Sequence, residues 1–256
     1  QESIMTKIFT DYQERWHTVI GLLSLLGYIG WADTFYDMRA VVGVIYMLAF
    51  YDSMNLYKLN ALSMLVWAAL LWLVAYFYPN PDDLFFFMAV IFASSLAYFH
   101  NFDKRLLLPF LYPVSGILFF LILYQDFGIA SMFWLLVTVA LTDVGAFFTG
   151  KTIGKTKFSD TSPNKTLEGV FGGVIIATIA GSFAGFYVVE LWIAIIVTLV
   201  TSIASVFGDL FESYLKREAG VKDSGDLLPG HGGILDRIDG YLFGAVIMVI
   251  ALRSLI

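Results

Sequence analysis

The sequence predicts an all-α, polytopic membrane protein of about nine spanning helices with a cytoplasm-facing polar site. Three observations carry this. Of 256 residues, 59% are hydrophobic and 14% charged, whereas a soluble domain carries about 25% charge. Apolar runs recur along the whole chain, several close to the roughly 20 residues that cross a bilayer. The polar residues gather in two loops of the C-terminal half.

The spans are read in order. His17–Trp31 and Ala40–Tyr51 are short, and an interfacial or re-entrant pair is the alternative for these two. Ala61–Tyr78 is long and uncharged, and Leu84–Phe99 is shorter and aromatic-rich. Leu106–Tyr124 carries Pro109 and Pro113 near its start, where kinks are expected. Phe127–Phe148 is apolar except for Asp143. Gly169–Val189 and Leu191–Gly208 are free of charge, and Ile238–Ile256 closes the chain with Asp239 and Arg253 at its ends. Residues 1–124 form a motif-poor set of membrane helices suited to packing or dimerisation. Residues 125–256 hold the helices and loops with chemistry.

Lys and Arg set the orientation. With nine spans, thirteen of the fifteen basic residues fall on one side, and only Arg39 and Arg253 on the other. That side is the cytoplasm, which places the N-terminus and the polar loops inside and the C-terminus outside. The net charge of −6 is not informative for a chain whose two faces are counted separately, and no nucleic-acid partner is expected. The absence of Cys excludes disulfides, thiol catalysis and Cys-built zinc sites, and three scattered His make no multi-His metal site.

The densest polar segment runs from Ser205 to Gly240. Ser205, Asp209, Glu212 and Lys216 share one helical face. Asp209 ends an uncharged run, and an ionisable group at that depth is a functional hypothesis by default. A turn follows with Gly225, Pro229, Gly230, His231, Gly232 and Gly233. Such glycines let backbone N–H groups approach phosphate oxygens. Asp236, Arg237 and Asp239 then open the last helix. Asp209 and Asp236 stand on different helices and can close on one Mg²⁺. Lys216, Arg217, Lys222 and Arg237 nearby make the set suited to a metal plus a polyphosphate.

The second polar loop follows Asp143 and continues through Ser162-Pro163-Asn164-Lys165-Thr166-Leu167-Glu168-Gly169. Small residues and lysines alternate, but the spacing is not that of a P-loop. Ser162 is placed to cap the next helix, with Pro163 after it. Lys165 stands where the chain re-enters the membrane.

The run S-x₁₀-KR-x₄-KD-x₇-HGG-x₂-DR-x-D, from Ser205 to Asp239, resembles the signature of the CDP-diacylglycerol synthase (phosphatidate cytidylyltransferase) family. The stretch from Ser162 to Gly169 resembles a second block of that family, and Thr142-Asp143 with the following glycines a third. Phe147 stands where that family leads one to expect Tyr. The resemblance implies a helical bundle open to cytoplasm and bilayer, in a bacterial inner membrane. It implies CTP and phosphatidate as substrates, pyrophosphate as product, Mg²⁺ with a second, monovalent cation such as K⁺, and a homodimer.

The expected reaction is in-line attack of the lipid phosphate on the CTP α-phosphorus. Asp209 and Asp236 are the expected metal ligands, with Asp143, Asp223 and Asp239 as further candidates. Lys165, Lys216, Arg217, Lys222 and Arg237 are expected on phosphates. Ser162, Ser205, Gly230, His231, Gly232 and Gly233 are expected to position substrate. Two other readings stay open: another CTP-using lipid enzyme, such as a polyprenol kinase or ether-lipid synthase, and a cation-coupled transporter.

Overall fold

The structure, a computed structural model, describes residues 24, 27, 30, 33–59, 62–99, 101–227 and 232–256. The expected span His17–Trp31 lies largely outside these residues, as do Gly230 and His231. Seven α-helices follow in order: α1 Phe35–Leu56, α2 Leu62–Phe77, α3 Asp83–Tyr98, α4 Ser115–Ile153, α5 Leu167–Gly185, α6 Leu191–Ala219 and α7 Leu235–Leu255. Among the described residues there is no strand; an isolated bridge joins Lys157 and Thr166.

Among the described residues, four stretches are long and apolar enough to cross a membrane: 104–153, α5, α6 and α7. The helices α2 and α3 stand where Ala61–Tyr78 and Leu84–Phe99 were expected and hold 16 residues each, fewer than those four stretches. The expected short span Ala40–Tyr51 grows at both ends into the 22-residue α1, whose first turn is capped by Thr34 accepting from Asp37 N.

The stretch 104–153 is irregular where Pro and Gly stand. A 3₁₀ turn at Lys104–Leu107 is followed by a π-helical turn at Phe110–Val114. The backbone is extended at Tyr112, just before Pro113, because the residue ahead of Pro avoids the helical region. Further on, Gly128 takes φ +75° inside α4. Ser131 Oγ donates to the carbonyl of Leu123 at 2.9 Å. In an unbroken helix those residues would be about 12 Å apart along the axis. Gly128 is therefore a true break, at the second residue of the later of the two runs that the sequence marks as separate spans.

The C-terminal helices pack backbone to backbone. A Cβ on Gly173 would meet Ala146 N at 2.8 Å, and one on Gly145 would meet Gly173 Cα at 3.0 Å. Small residues at such crossings replace the hydrophobic drive that lipid cannot supply. Buried polar side chains add interhelical bonds: Trp134 Nε1 donates to Thr198 Oγ1 at 2.9 Å, and the hydroxyls of Thr142 and Ser202 lie 2.7 Å apart.

The bundle has two chemically distinct ends. At one, Arg253 pairs with Asp82 at 2.6 Å and Asp126 at 2.8 Å. Buried Arg39 donates to the Tyr76 carbonyl and lies over the Phe35 ring at the same end. At the other stand Asp52, Lys165, Asp209, Lys216 and Asp236. Arg39 and Arg253, the two basic residues that the charge count sets apart, share the end without the site.

Candidate functional site

The helix α6 is long enough to carry the site out of the bilayer. Its 29 residues span about 43 Å, against a hydrocarbon core of about 30 Å. Asp209 falls about 27 Å from the helix start, at the membrane boundary. Lys216 and Arg217 lie beyond it in the last turn, before Gly220 ends the helix in the left-handed conformation at φ +77°. Glu212, Lys216 and Arg217 are thus helical, and the loop that follows is confined to the residues between α6 and α7.

The start of α7 is held against α6 by a packed crossing and an ionic tie. A Cβ on Gly208 would lie 2.5 Å from the Asp239 carbonyl and 3.2 Å from Gly240 Cα. Lys216 Nζ lies 2.8 Å from Asp236 Oδ1 and also pairs with Glu212, which is fully buried. The other Asp236 oxygen, Oδ2, accepts Ser224 N at 2.9 Å, Ser224 Oγ at 2.9 Å and Gly233 N at 2.8 Å. Asp236 is therefore the knot that closes the glycine turn. Gly232, at φ +79°, lies so close that its Cβ would stand 2.7 Å from Oδ2.

One turn deeper, Lys165 pairs with Asp209, each about 30% exposed. Asp143 on α4, Asp209 on α6 and Asp239 on α7 lie near enough to interact electrostatically. Lys165 arrives from the loop between α4 and α5, whose two sides are tied together. Phe158 N donates to the Lys165 carbonyl at 2.9 Å, and Leu167 N to that of Thr156 at 2.9 Å. The Glu168 carboxylate accepts from Lys155 N, Thr156 N and Thr156 Oγ1. Lys157 lies 2.6 Å from Asp160 and holds that exposed carboxyl below its ordinary range.

The cap of α5 is Thr166, not Ser162: Thr166 Oγ1 accepts from Gly169 N at 3.2 Å. The bridge to Lys157 makes Thr166 extended and puts the helix start four residues beyond Ser162. Ser162 instead closes a turn with its carbonyl, which accepts Lys165 N at 3.1 Å. Ser205 is buried at the α6–α7 crossing and donates to the Ser202 carbonyl. Arg217, Lys222, Asp223 and Arg237 are exposed around the mouth, and Gly233 is buried.

Two positions at this end of the bundle escape the sequence reading. Asp52, on α1, is completely buried, and its Oδ2 accepts Leu235 N at 3.1 Å. Its signal is an acid at the end of an apolar run, the same mark that singles out Asp209. Ser224 is marked by nothing in its sequence neighbourhood.

Among the described residues, no three acidic or His side chains gather around one point as a metal cage would require. That does not conflict with Mg²⁺, which is commonly held by one or two carboxylates with water and substrate phosphates completing the shell. Asp209 and Asp236 are hard oxygen donors of that kind, but Asp209 is paired with Lys165 and both Asp236 oxygens are engaged by Lys216, Ser224 and Gly233, so an ion held there would take the place of the lysine ammonium groups.

Ammonium and carboxylate groups thus concentrate at one end of an apolar helical bundle, beside the glycine turn. That is the arrangement of a membrane enzyme acting on charged groups. The chain belongs to the Cytidylyltransferase family, whose model matches residues 13–255. It is 43% identical to the phosphatidate cytidylyltransferase of Helicobacter pylori strain J99 over 95% of this chain and 92% of that protein. It is 45% identical to the Bacillus subtilis phosphatidate cytidylyltransferase over 46% of each chain. With that of Thermotoga maritima it shares 42% identity over 57% of each.

Proposed function

We propose that the polar end of the bundle binds CTP from the cytoplasm and phosphatidate from the leaflet and joins them in line. The reaction is CDP-diacylglycerol synthesis. A phosphate oxygen of phosphatidate forms a bond to the α-phosphorus of CTP, the bond from that phosphorus to the bridging oxygen breaks, and pyrophosphate leaves. The carrying observation is the 43% identity over 95% of the chain to a phosphatidate cytidylyltransferase. This favours phosphatidate over the substrates of other CTP-using lipid enzymes, and an enzyme over a transporter.

The attacking oxygen is already anionic, so no strong base is needed. The difficulty is repulsion between two anions, and the remedy is charge and positioning. Lys165 and Lys216 each rest on a carboxylate and exchange that partner for substrate phosphate. Arg217, Lys222 and Arg237 line the mouth and draw in the triphosphate. Gly230, His231 and Gly232 of the glycine turn orient it, together with Ser162 and Ser205, while Gly233 shapes the turn with its N–H on Asp236. Asp209 and Asp236 hold Mg²⁺, which when bound neutralises charge on the phosphates. Asp143, Asp223 and Asp239 are the side chains for a second, monovalent cation such as K⁺.

The site end and the N-terminus face the cytoplasm, the C-terminus faces outward across a bacterial inner membrane, and the chain works as a homodimer. Single cysteines placed in this Cys-free sequence test the sidedness by labelling with an impermeant reagent. Purified protein in lipid tests the reaction. Pyrophosphate release from CTP is expected only with phosphatidate and Mg²⁺ together, and release without phosphatidate overturns the assignment.

A further inference from the structure

The carboxylate of Asp52 is out of place by the usual rules. It comes from α1, in the part of the chain with no recognisable motif, and is completely buried. The charged groups facing it, Asp226 and Asp236, are acidic. Such a group is costly unless something of opposite sign meets it. What meets it is the start of α7. Leu235 N donates to Oδ2, and the backbone at Ile234 donates as well. These are the N–H groups that a helix leaves unpaired at its positive end.

The same carboxylate is wedged into the glycine turn. A Cβ on Gly225 would collide with Oδ1, and a Cβ on Gly233 with Oδ2. Both sides of the turn are thus built around Asp52, and only glycine leaves room for it. From the far side of Gly233, the backbone N–H goes to Asp236 Oδ2. Asp52 and Asp236 hold the turn between them, Asp52 from beneath and Asp236 from the site. Among the described residues Oδ1 has no hydrogen-bond partner although it is buried.

We propose that Asp52 is the positioning residue that sets the glycine turn and the first turn of α7, and through them Asp236, for cytidylyl transfer. This rests on the reading of Asp236 as part of the reacting site. The motif-poor N-terminal helices then supply part of that site's support and are more than packing.

The test compares Asp52→Ala and Asp52→Asn with the natural full-length chain in lipid. Asn keeps an oxygen for Leu235 N, and Ala keeps none. Three quantities are read: kcat and KM for both substrates, the thermal midpoint, and the rate of trypsin cleavage after Lys222 in the glycine-turn segment. Asp52→Ala is expected to lower kcat on the order of tenfold or more, to leave KM for phosphatidate unchanged and to speed cleavage at Lys222. Asp52→Asn is expected to recover a large part of both. A kcat within twofold of the natural chain in folded Asp52→Ala overturns the proposal. So do equal losses in both variants that only follow the folded fraction. If the natural chain itself forms no CDP-diacylglycerol, it is the assigned reaction that fails. Cleavage at Lys222 then decides for Asp52: faster in Asp52→Ala supports the positioning, and unchanged overturns it.

Discussion

Lys216 Nζ bridges Glu212 and Asp236, lying 2.8 Å from the Asp236 carboxylate. One ammonium thus ties the C-terminal part of α6 to the first turn of α7 and faces two carboxylates that are almost wholly out of solvent. Removing one partner of a buried ionic group leaves uncompensated charge, typically at a cost of about 3–5 kcal/mol.

Lys216→Met is therefore expected to lower both stability and turnover. A loss of about 3 kcal/mol would appear as a clear fall in thermal midpoint in detergent. Turnover should drop by more than a hundredfold, because Asp236 loses its anchor and the phosphates lose a cation. The double variant Lys216→Met with Glu212→Gln should recover stability without activity. Recovery of both would make the lysine purely structural.

Asp209 and Lys165 form a more open pair, each about 30% exposed, so solvent screens it and its direct contribution to stability is small. Asp209→Asn should leave the thermal midpoint nearly unchanged while abolishing Mg²⁺-dependent formation of CDP-diacylglycerol. Lys165→Met should act the same way through KM for CTP and kcat together. Near-normal turnover in Asp209→Asn removes that residue from the metal site.

The all-helical class and both polar loops are legible because they rest on composition and local spacing; the count of spans is not, since four of the described stretches are long and apolar enough to cross a membrane. Asp143, Lys165, Asp209, Lys216 and Asp236 declare themselves as charges at the ends of apolar runs. The role of Asp52 was not legible, since its partner Leu235 is 183 residues away and no local pattern encodes that approach. The α5 cap was misjudged for a related reason. Ser162 and Pro163 carry the local signal for a helix start, but the pairing of Lys157 with Thr166 across the loop moves the start to Thr166. The break in α4 was legible as a gap between spans, although Gly128, which takes the positive φ, lies just inside the later run.

That cap gives a clean contrast. Thr166→Ala removes the acceptor for Gly169 N and should cost about 1 kcal/mol, read as a lower thermal midpoint. Ser162→Ala removes no cap and should leave the midpoint within error. A larger loss from Ser162→Ala than from Thr166→Ala would return the cap to Ser162.

The glycine face between α4 and α5 has no room to spare. A Cβ at Gly173 would meet the Thr142 carbonyl and Ala146 N, which are backbone and cannot step aside. Gly173→Val should force the helices apart and shift Thr142 and its neighbour Asp143. The expected outcome is poor yield of folded protein, with residual turnover per folded molecule reduced. Equal yield and activity would mean that the crossing is looser than the geometry requires.

The opposite end supplies the control for all charge substitutions. Arg253 pairs with Asp82 and Asp126 and so fastens α7 to the start of α3 and to α4 just before its break, far along α7 from Asp236. It is partly exposed, so its loss should cost about 1 kcal/mol or less and lower the midpoint modestly. Arg253→Ala should leave KM for both substrates and the Mg²⁺ dependence unchanged, because no phosphate reaches that end of the bundle. A hundredfold loss of turnover with an intact midpoint would place substrate there, and would contradict a site built at the other end.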